Sequence, residues 1–207
     1  MFAYACLWRK TTVTVHEEGI SYKSPFRQTD LRWNEITETR YGQQPINVAV
    51  HFGLIGWLVA AMAGGNSKMN RSFELVGPQK IAVNSNIRDV EGVVRLCLAE
   101  INPRLRKDAD RILSSGGTVS FGKISLSPAG VVWKSKEPIP YTAIVKSKID
   151  GSMLRIKAEG KWLDNIAIAA KKVPNIFILL DLIDEKRSTA AGKTALAMAG
   201  SSANQYL

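Results

Sequence analysis

A strand–glycine–strand pattern occurs twice in this chain and limits its fold more than any other feature of the sequence. Residues Val13–Ser24 alternate apolar and polar side chains around Gly19, and residues Ile124–Ser135 do the same around Gly130. Alternation with a period of two on both sides of a turn predicts an antiparallel hairpin with one buried face. We expect both glycines to supply the positive φ that a tight hairpin turn needs.

The same elements follow each hairpin in the same order. An aromatic residue comes three positions before an isoleucine in both copies, as Trp33 before Ile36 and as Tyr141 before Ile144. Two further strands are predicted in each copy, at residues 73–76 and 80–83 and at residues 154–157 and 161–163. A repeated order of elements predicts a duplicated structural unit.

Each copy closes with an amphipathic helix. The apolar stripes that predict the two helices are Val90, Val93, Val94, Cys97 and Ile101, and then Val173, Ile176, Phe177, Leu180 and Ile183. Ser85 or Asn86 is the expected N-cap of the first helix, with Asp89 in its first turn. Pro174 stands where a first-turn proline is tolerated in the second.

The hairpin Glu18–Ser24 (EGISYKS), the strand Leu31–Ile36 (LRWNEI) and the closing helix together resemble bacterial PH-like or GRAM-like domains arranged in tandem. The resemblance covers roughly residues 10–105 and 117–187. It implies an α+β fold that is mostly β, in which each unit is a curved antiparallel sheet or small barrel capped by a C-terminal helix. We expect a binding protein rather than an enzyme, because the sequence offers no candidate set of catalytic residues.

We predict two domains and a tail. The first domain covers residues 1–113 and ends with a basic, helix-prone stretch, and the hinge Ser114–Gly117 opens the second domain at residues 114–187. The remaining residues, 188–207, are rich in Ala, Ser and Gly. For this tail we favour a frayed terminus over a helix that packs on a partner.

An apolar insertion distinguishes the first copy from the second. It runs from about Gln43 to Met69, and its centre, Ile46–Ala63, contains no Asp, Glu, Lys or Arg. A stretch of this kind needs shelter from water. We expect it to form the principal contact with a membrane or partner through Phe52, Leu54, Ile55, Trp57 and Leu58.

Three interpretations of the insertion stay open. It packs on its own protein or on a second copy, it dips into the headgroup region of a membrane, or it spans the bilayer. The span is the least favoured, because the strands at the two ends of the insertion belong to one small sheet.

The chain is strongly basic. Its formal net charge is +10 and its pI is near 9.7, which favours anionic partners. No basic helix, RNP-type strand or zinc finger is present, so nucleic acid is not the expected partner. The expected partner is an anionic membrane surface or a protein.

Basic residues near the hairpin turns are the expected headgroup ligands. Domains of the PH-like kind that hold phospholipids do so with Lys and Arg around these loops. The matching residues here are Lys23, Arg27 and Arg32 in the first copy and Lys134 and Lys136 in the second. They act together only if they share one face, and ordinary solvated surface charge is the alternative interpretation.

No constellation in the sequence predicts catalysis, a cofactor or a metal site. Gly192-Lys193-Thr194 lacks the glycine and the preceding strand of a phosphate-binding loop, and His16 and His51 have no partner ligands at metal spacing. Cys6 and Cys97 lie among apolar residues, which favours reduced thiols in the cytoplasm. The N-terminus shows no signal-peptide pattern, so we expect a cytoplasmic location, at or near the inner face of the membrane.

These observations lead to two functional hypotheses. The first is an adaptor with tandem PH-like domains that docks to a protein partner or an anionic membrane. The alternative is a structural subunit of a larger assembly or homo-oligomer, with the insertion and the tail as its contacts.

Overall fold

The computed structural model describes residues 11–45, 69–85, 87, 89–160 and 163–203. The chain divides into two compact units, residues 1–98 and 99–207. The division falls within a helix, ahead of the Ser114–Gly117 stretch where the sequence suggests a hinge. Each unit contains two antiparallel three-stranded sheets.

The first sheet of unit 1 is a meander of the strands β1 (Thr12–His16), β2 (Gly19–Ser24) and β3 (Arg27–Arg32). Ile20 lies opposite Val15 on one side and opposite Leu31 on the other. Ile20 and Leu31 are buried, so the alternating residues do form one buried face. The predicted hairpin is confirmed.

A 3-10 turn at Trp33–Glu35 leads into the second sheet of unit 1. This sheet consists of β4 (Glu38–Pro45), β5 (Met69–Val76) and β6 (Lys80–Asn84), which confirms the two strands predicted at 73–76 and 80–83. The Trp33 indole donates a 3.0 Å hydrogen bond to the Glu17 carbonyl oxygen. The turn is thereby fixed to the first hairpin.

Helix α1 (Val90–Ser114) begins at Asp89 rather than at the expected cap, Ser85 or Asn86. The Asp89 carboxylate accepts a 3.1 Å hydrogen bond from the Gly92 amide, which satisfies one of the free amides of the first turn. Asp89 has φ of 57°, a conformation that aspartate tolerates better than most residues do. The predicted stripe supplies Cys97 to the core of unit 1, where it is fully buried.

The first sheet of unit 2 is a second meander, formed by β7 (Val119–Phe121), β8 (Ile124–Ser127) and β9 (Gly130–Trp133). A 3-10 turn at Tyr141–Ala143 follows. The Tyr141 hydroxyl donates a 2.8 Å hydrogen bond to the Ser127 carbonyl oxygen, much as Trp33 bonds to the first hairpin of unit 1.

The second sheet of unit 2 has the strand order β10 (Ile144–Asp150), β11 (Met153–Ala158) and β12 (Ile166–Ala169). Residues 161 and 162 of the strand predicted at 161–163 lie outside the described residues, and the strand that pairs with β11 is Ile166–Ala169. Ile166 and Ile168 supply its buried side chains.

Helix α2 (Ile176–Ala203) closes unit 2. It continues well beyond Arg187, where the sequence favours a frayed tail, because alanines are strong helix formers and extend the helix. Its first turns supply much of the core, with buried side chains at Ile176, Ile178, Leu179, Leu182 and Ile183.

The two units share their order of elements. In each, a three-stranded meander, a 3-10 turn and a second three-stranded sheet precede a helix that starts after a residue with positive φ, Asp89 or Asn175. The fold is thus mixed α and β with antiparallel sheets, as predicted at this level. The described strands form separate three-stranded sheets and not a closed barrel.

Gly19 and Gly130 occupy matching places in the two units, but only one of them has the positive φ that the sequence predicts. Gly130 has φ of 148°, but the φ of Gly19 is not positive, so that expectation for Gly19 is wrong. A β-carbon on Gly19 would lie 2.9 Å from the Arg32 Cα, and one on Gly130 would lie 3.1 Å from the Pro140 Cα. Close approach of two backbones therefore requires glycine at both positions.

Candidate functional site

The tip of the β2–β3 hairpin, here called the unit 1 tip, combines an exposed aromatic ring with two cations. Phe26 lies in the two-residue turn and is 84% exposed. Lys23 and Arg27 lie beside it, because Lys23 pairs with Gln28 and Arg27 pairs with Ser24 at the end of the ladder. The structure thus places two of the three predicted headgroup ligands of unit 1 at the same end of the hairpin, on opposite faces of the sheet.

Arg32 does not join this tip. It pairs with Gly19 at the opposite end of β3, roughly 17 Å from Arg27 at the usual rise of a strand. Arg27 and Arg32 are the first and last residues of the same strand, so the rise of an extended chain separates them whatever the pairing register is. The structure therefore separates Arg32 from Lys23 and Arg27, and the role of all three as headgroup ligands stays a prediction.

Arg27 is held in place by its own unit. Its Nε donates a 2.9 Å hydrogen bond to the Thr29 hydroxyl, and its guanidinium donates a second bond of 3.3 Å to the Lys80 carbonyl oxygen. The Ser24 hydroxyl also accepts a bond from the Arg27 amide. A positioned guanidinium loses less conformational entropy when it meets an anion than a free one does.

The turn after β9, here called the unit 2 tip, contains the other two predicted ligands. Lys134 and Ser135 have φ of 51° and 58°, and the Lys136 amide closes the turn on the Trp133 carbonyl with a 3.1 Å hydrogen bond. The Lys134 ammonium lies 5.0 Å from the centre of the Trp133 ring, within the range of a cation–π contact. Lys134 and Lys136 are both exposed.

A cleft of about 550 Å³ lies beside the unit 2 tip. Its lining is half polar, with Trp133 and Ile139 facing Lys136, Glu137 and Asn165. Asn165 is already engaged, since its side-chain oxygen accepts a 2.8 Å hydrogen bond from the Ala158 amide. The cleft therefore offers the Trp133 indole and the Lys136 ammonium to a ligand, together with the Glu137 carboxylate.

An apolar groove of about 400 Å³ lies in unit 1 between the β4–β5 hairpin and the first turns of α1. Val90, Val94 and Leu98 line it from the helix, at successive turns of one face. Tyr41 and Phe73, which pair across β4 and β5, line it from the sheet. Ser72, Glu91 and Arg95 complete the lining, so the groove offers mostly apolar surface together with one carboxylate and one guanidinium.

The outward side of the β10–β11–β12 sheet carries four cations that the sequence interpretation missed, and we call it the basic face. Lys146 pairs with Lys157, and Lys148 pairs with Arg155, directly across β10 and β11. Paired residues of antiparallel strands point to the same side of the sheet. The opposite side carries Leu154 and Ile156, which are fully buried.

Two carboxylates neutralise one end of the basic face. Asp150 lies 3.3 Å from the Lys148 ammonium and 3.5 Å from Arg155 Nε, and Asp164 accepts a 2.7 Å hydrogen bond from Arg155. The hydrogen bond to Asp164 raises the pKa of the Arg155 guanidinium. Among the described residues, no carboxylate lies within 4.0 Å of the Lys146 or Lys157 ammonium.

A signal for the basic face does exist in the sequence. Lys146 and Lys148 alternate with apolar or small residues, as do Arg155 and Lys157, and Gly151-Ser152 between the two runs is a glycine-containing two-residue turn. A two-residue turn fixes the register and with it the opposed pairs.

The central contact predicted from sequence lies outside the described residues. This is the apolar insertion, with Phe52, Leu54, Ile55, Trp57 and Leu58. None of the described helices has a stretch long and apolar enough to cross a bilayer. Within the part of the chain that the structure describes, no three His, Cys, Asp or Glu side chains come together as metal ligands.

Comparison with known proteins gives a family but no function. No curated protein and no solved structure matches the chain at a significant level. A family model, in contrast, matches residues 1–191, and this range runs through unit 1 and most of unit 2. The chain therefore belongs to DUF6585, which is described as a family of unknown function.

Proposed function

We propose that the chain is a non-enzymatic adaptor with two PH-like units that docks on an anionic membrane surface from the cytoplasmic side. The repeated order of elements supports the tandem PH-like assignment, since each strand-rich unit is followed by one helix. The net charge of +10 supports an anionic surface as the target. The cytoplasmic leaflet is the natural candidate because it carries the anionic lipids.

The observation that carries the proposal is Phe26 at the unit 1 tip. A phenylalanine that is 84% exposed at the end of a hairpin contributes nothing to the core. Beside it, Lys23 and Arg27 place positive charge at the level where lipid phosphates lie when an aromatic ring enters the headgroup region. Apolar insertion and charge attraction then act at the same point.

The unit 2 tip repeats this combination with other residues. Trp133 supplies the aromatic ring, and Lys134 and Lys136 supply the cations. Trp133 is half-buried, so its ring offers less apolar surface than Phe26 does. The chain therefore has two weak contacts rather than one.

A single tip gives only weak binding. Each cation near an anionic surface contributes about 1 kcal/mol. Burial of the Phe26 ring adds about 2 kcal/mol. A sum of about 4 kcal/mol corresponds to a dissociation constant near 1 mM, so further contacts are needed for stable docking.

Vesicle flotation of the full chain tests the proposal. The chain should float with vesicles of phosphatidylcholine and phosphatidylserine and stay behind with phosphatidylcholine alone. Phe26→Ser should lower the vesicle-binding constant measured by flotation by about thirtyfold, because about 2 kcal/mol of ring burial is lost. Lys23→Ala should weaken it by about fivefold, the equivalent of one cation.

Arg32→Ala is the matched control, since it removes one cation from the same sheet at the end away from the tip. It should leave flotation within about twofold of the wild-type value, because screened distant charges contribute little. Equal losses from Lys23→Ala and Arg32→Ala would show that only the total charge matters. That result would remove the unit 1 tip from the proposal.

The apolar groove of unit 1 favours a second candidate, a structural subunit that packs against another protein. A protein segment with apolar side chains would fill the space between Val94 and Phe73. Val94→Lys should then lower the mass of the assembly measured by light scattering. Leu96→Lys on the same helix, whose side chain is 54% exposed and does not line the groove, should leave that mass unchanged.

A further inference from the structure

The basic face of unit 2 places two ammonium groups directly opposite each other. Lys146 and Lys157 form a cross-strand pair, so their β-carbons are about 5 Å apart on one side of the sheet. Like charges in such a pair weaken a sheet. A pair of like charges that destabilises the sheet is expected at a functional site, because such sites keep residues that binding needs even where they lower stability.

The charges of the basic face do not cancel. Four cations, Lys146, Lys148, Arg155 and Lys157, face two carboxylates, Asp150 and Asp164. Both carboxylates engage the Lys148–Arg155 pair. Two positive charges therefore remain, and they lie together at the Lys146–Lys157 end.

The third strand leaves the basic face open. Ala167 pairs with Arg155, and Ala169 pairs with Met153, so β12 adds only methyl groups to this side of the sheet. A ligand group can approach the cations across this strand without meeting a large side chain. Ala167 is exposed, in agreement with an uncovered surface.

Aliphatic side chains flank the charged pair. Val145, at the irregularity in β10 beside Lys146, is 51% exposed, and Leu163 is 81% exposed in the loop between β11 and β12. The next residue along that loop, Asp164, is bonded to Arg155, which holds Leu163 at the border of the basic face. Cations next to exposed aliphatic groups suit a lipid surface better than a nucleic acid, whose bases would call for aromatic stacking.

We propose that Lys146 and Lys157 together bind the phosphate monoester group of an anionic lipid headgroup, while Leu163 contacts the apolar region below it. A phosphate monoester carries close to two negative charges at neutral pH, which matches the two uncompensated ammonium groups. Its three terminal oxygens can accept charge-assisted hydrogen bonds from both lysines at once. A phosphodiester headgroup has one charge and fewer free oxygens, so it fits this pair less well.

The membrane as the source of this phosphate rests on the proposed function, whereas the site itself shares no residue with either tip. Flotation of the full chain with two kinds of vesicle separates the two. One contains phosphatidylcholine with phosphatidic acid, a monoester, and the other contains phosphatidylcholine with phosphatidylserine adjusted to the same surface charge. The wild-type chain should bind the phosphatidic acid vesicles more tightly.

Lys146→Ala/Lys157→Ala should weaken binding to phosphatidic acid vesicles by about thirtyfold and abolish the preference over phosphatidylserine. Lys171→Ala/Lys172→Ala removes the same charge from an exposed segment of unit 2 and should keep the preference. Leu163→Ser should weaken binding to both kinds of vesicle. Thermal unfolding checks that each variant is folded, and Lys146→Gln provides a milder version of the first change.

The outcomes are distinct. Equal wild-type binding to both vesicles, or equal losses from the two lysine pairs, would overturn the monoester site and leave the proposed function intact. Failure to bind either vesicle would overturn the proposed function, and with it the lipid source. Binding of inorganic phosphate or duplex DNA that depends on Lys146 and Lys157, without vesicle binding, would overturn the membrane as the ligand.

Discussion

Gly19 and Leu31 approach so closely across β2 and β3 that a β-carbon on Gly19 would collide with the carbonyl oxygen of Leu31. Gly130 has the same relation to Ile139 in unit 2. In both units the 3-10 turn begins two residues after the crowded carbonyl. The two halves of the chain thus repeat a backbone contact and not only an order of strands.

Gly19→Ala and Gly130→Ala should each lower the free energy of unfolding by about 3 kcal/mol, because the backbones must move apart to admit a methyl group. Urea denaturation followed by circular dichroism measures the loss. Gly151→Asn is the control, since Gly151 has φ of 58° with open space around it and asparagine tolerates that conformation. A loss from Gly19→Ala no larger than that of the control would contradict the close approach.

Tyr141 should make the stability of unit 2 depend on alkaline pH. Burial raises the pKa of its hydroxyl to about 12, above the usual value near 10. The folded state therefore favours the neutral phenol, and this contribution is full below about pH 10 and is lost as the pH rises toward 12. Tyr141→Phe should remove that part of the pH dependence.

Tyr141→Phe should also cost about 1 kcal/mol at neutral pH, because the Ser127 carbonyl loses its hydrogen bond. Chemical denaturation at several pH values measures both effects. Tyr22→Phe on β2 provides the comparison, since that side chain is only half-buried. If the difference in the free energy of unfolding between wild type and Tyr141→Phe stayed the same from pH 9 to pH 12, the burial of the phenol would be contradicted.

Cys97 should resist alkylation while the protein is folded. The side chain is fully buried, and this burial raises the pKa of its thiol to about 12. Only roughly one thiol in ten thousand is then ionised at pH 8, and the thiolate is the reactive form. In a Cys6→Ser background, iodoacetamide should label Cys97 only when denaturant is added, as measured by mass spectrometry. Rapid labelling without denaturant would contradict the described core.

The opposed lysines of the basic face predict a stabilising substitution. Lys146→Glu replaces a repulsive cross-strand pair with an attractive one, so the free energy of unfolding should rise by about 0.5 to 1 kcal/mol at low salt. The gain should shrink as salt screens the pair. Lys171→Glu, on an exposed segment without such a partner across a ladder, should show no comparable gain. Thermal unfolding at two salt concentrations distinguishes them.

Much of the fold could be predicted from local patterns. Alternation around Gly19 and Gly130 gives the hairpins, and the spacing of Cys97 and Ile101 gives the first helix, because a buried face imposes its period on the sequence. The positions of the helix cap and the last strand were missed. Asp89 accepts the Gly92 amide with its side chain and has positive φ, which is unusual for a helix cap and is not indicated by the sequence pattern.

The candidate sites were harder to predict because they depend on pairs of residues from different strands. Lys23 and Arg27 lie at one end of their hairpin and Arg32 lies at the other, although all three occur within ten positions of sequence. Lys146 and Lys157 meet only through the register of β10 and β11. Pairing across a ladder, rather than nearness along the chain, determines which charges cooperate.

The edge of β10 has a further consequence for how the protein survives in a crowded solution. An unprotected outer strand offers free backbone groups to which another chain can add, and this is how many sheet proteins aggregate. Here an irregular register at Val145, two lysines and a hydrogen bond of 3.3 Å from Arg187 to the Val145 carbonyl oxygen all interrupt that template. The charges that we assign to ligand recognition therefore also keep neighbouring molecules from joining their sheets.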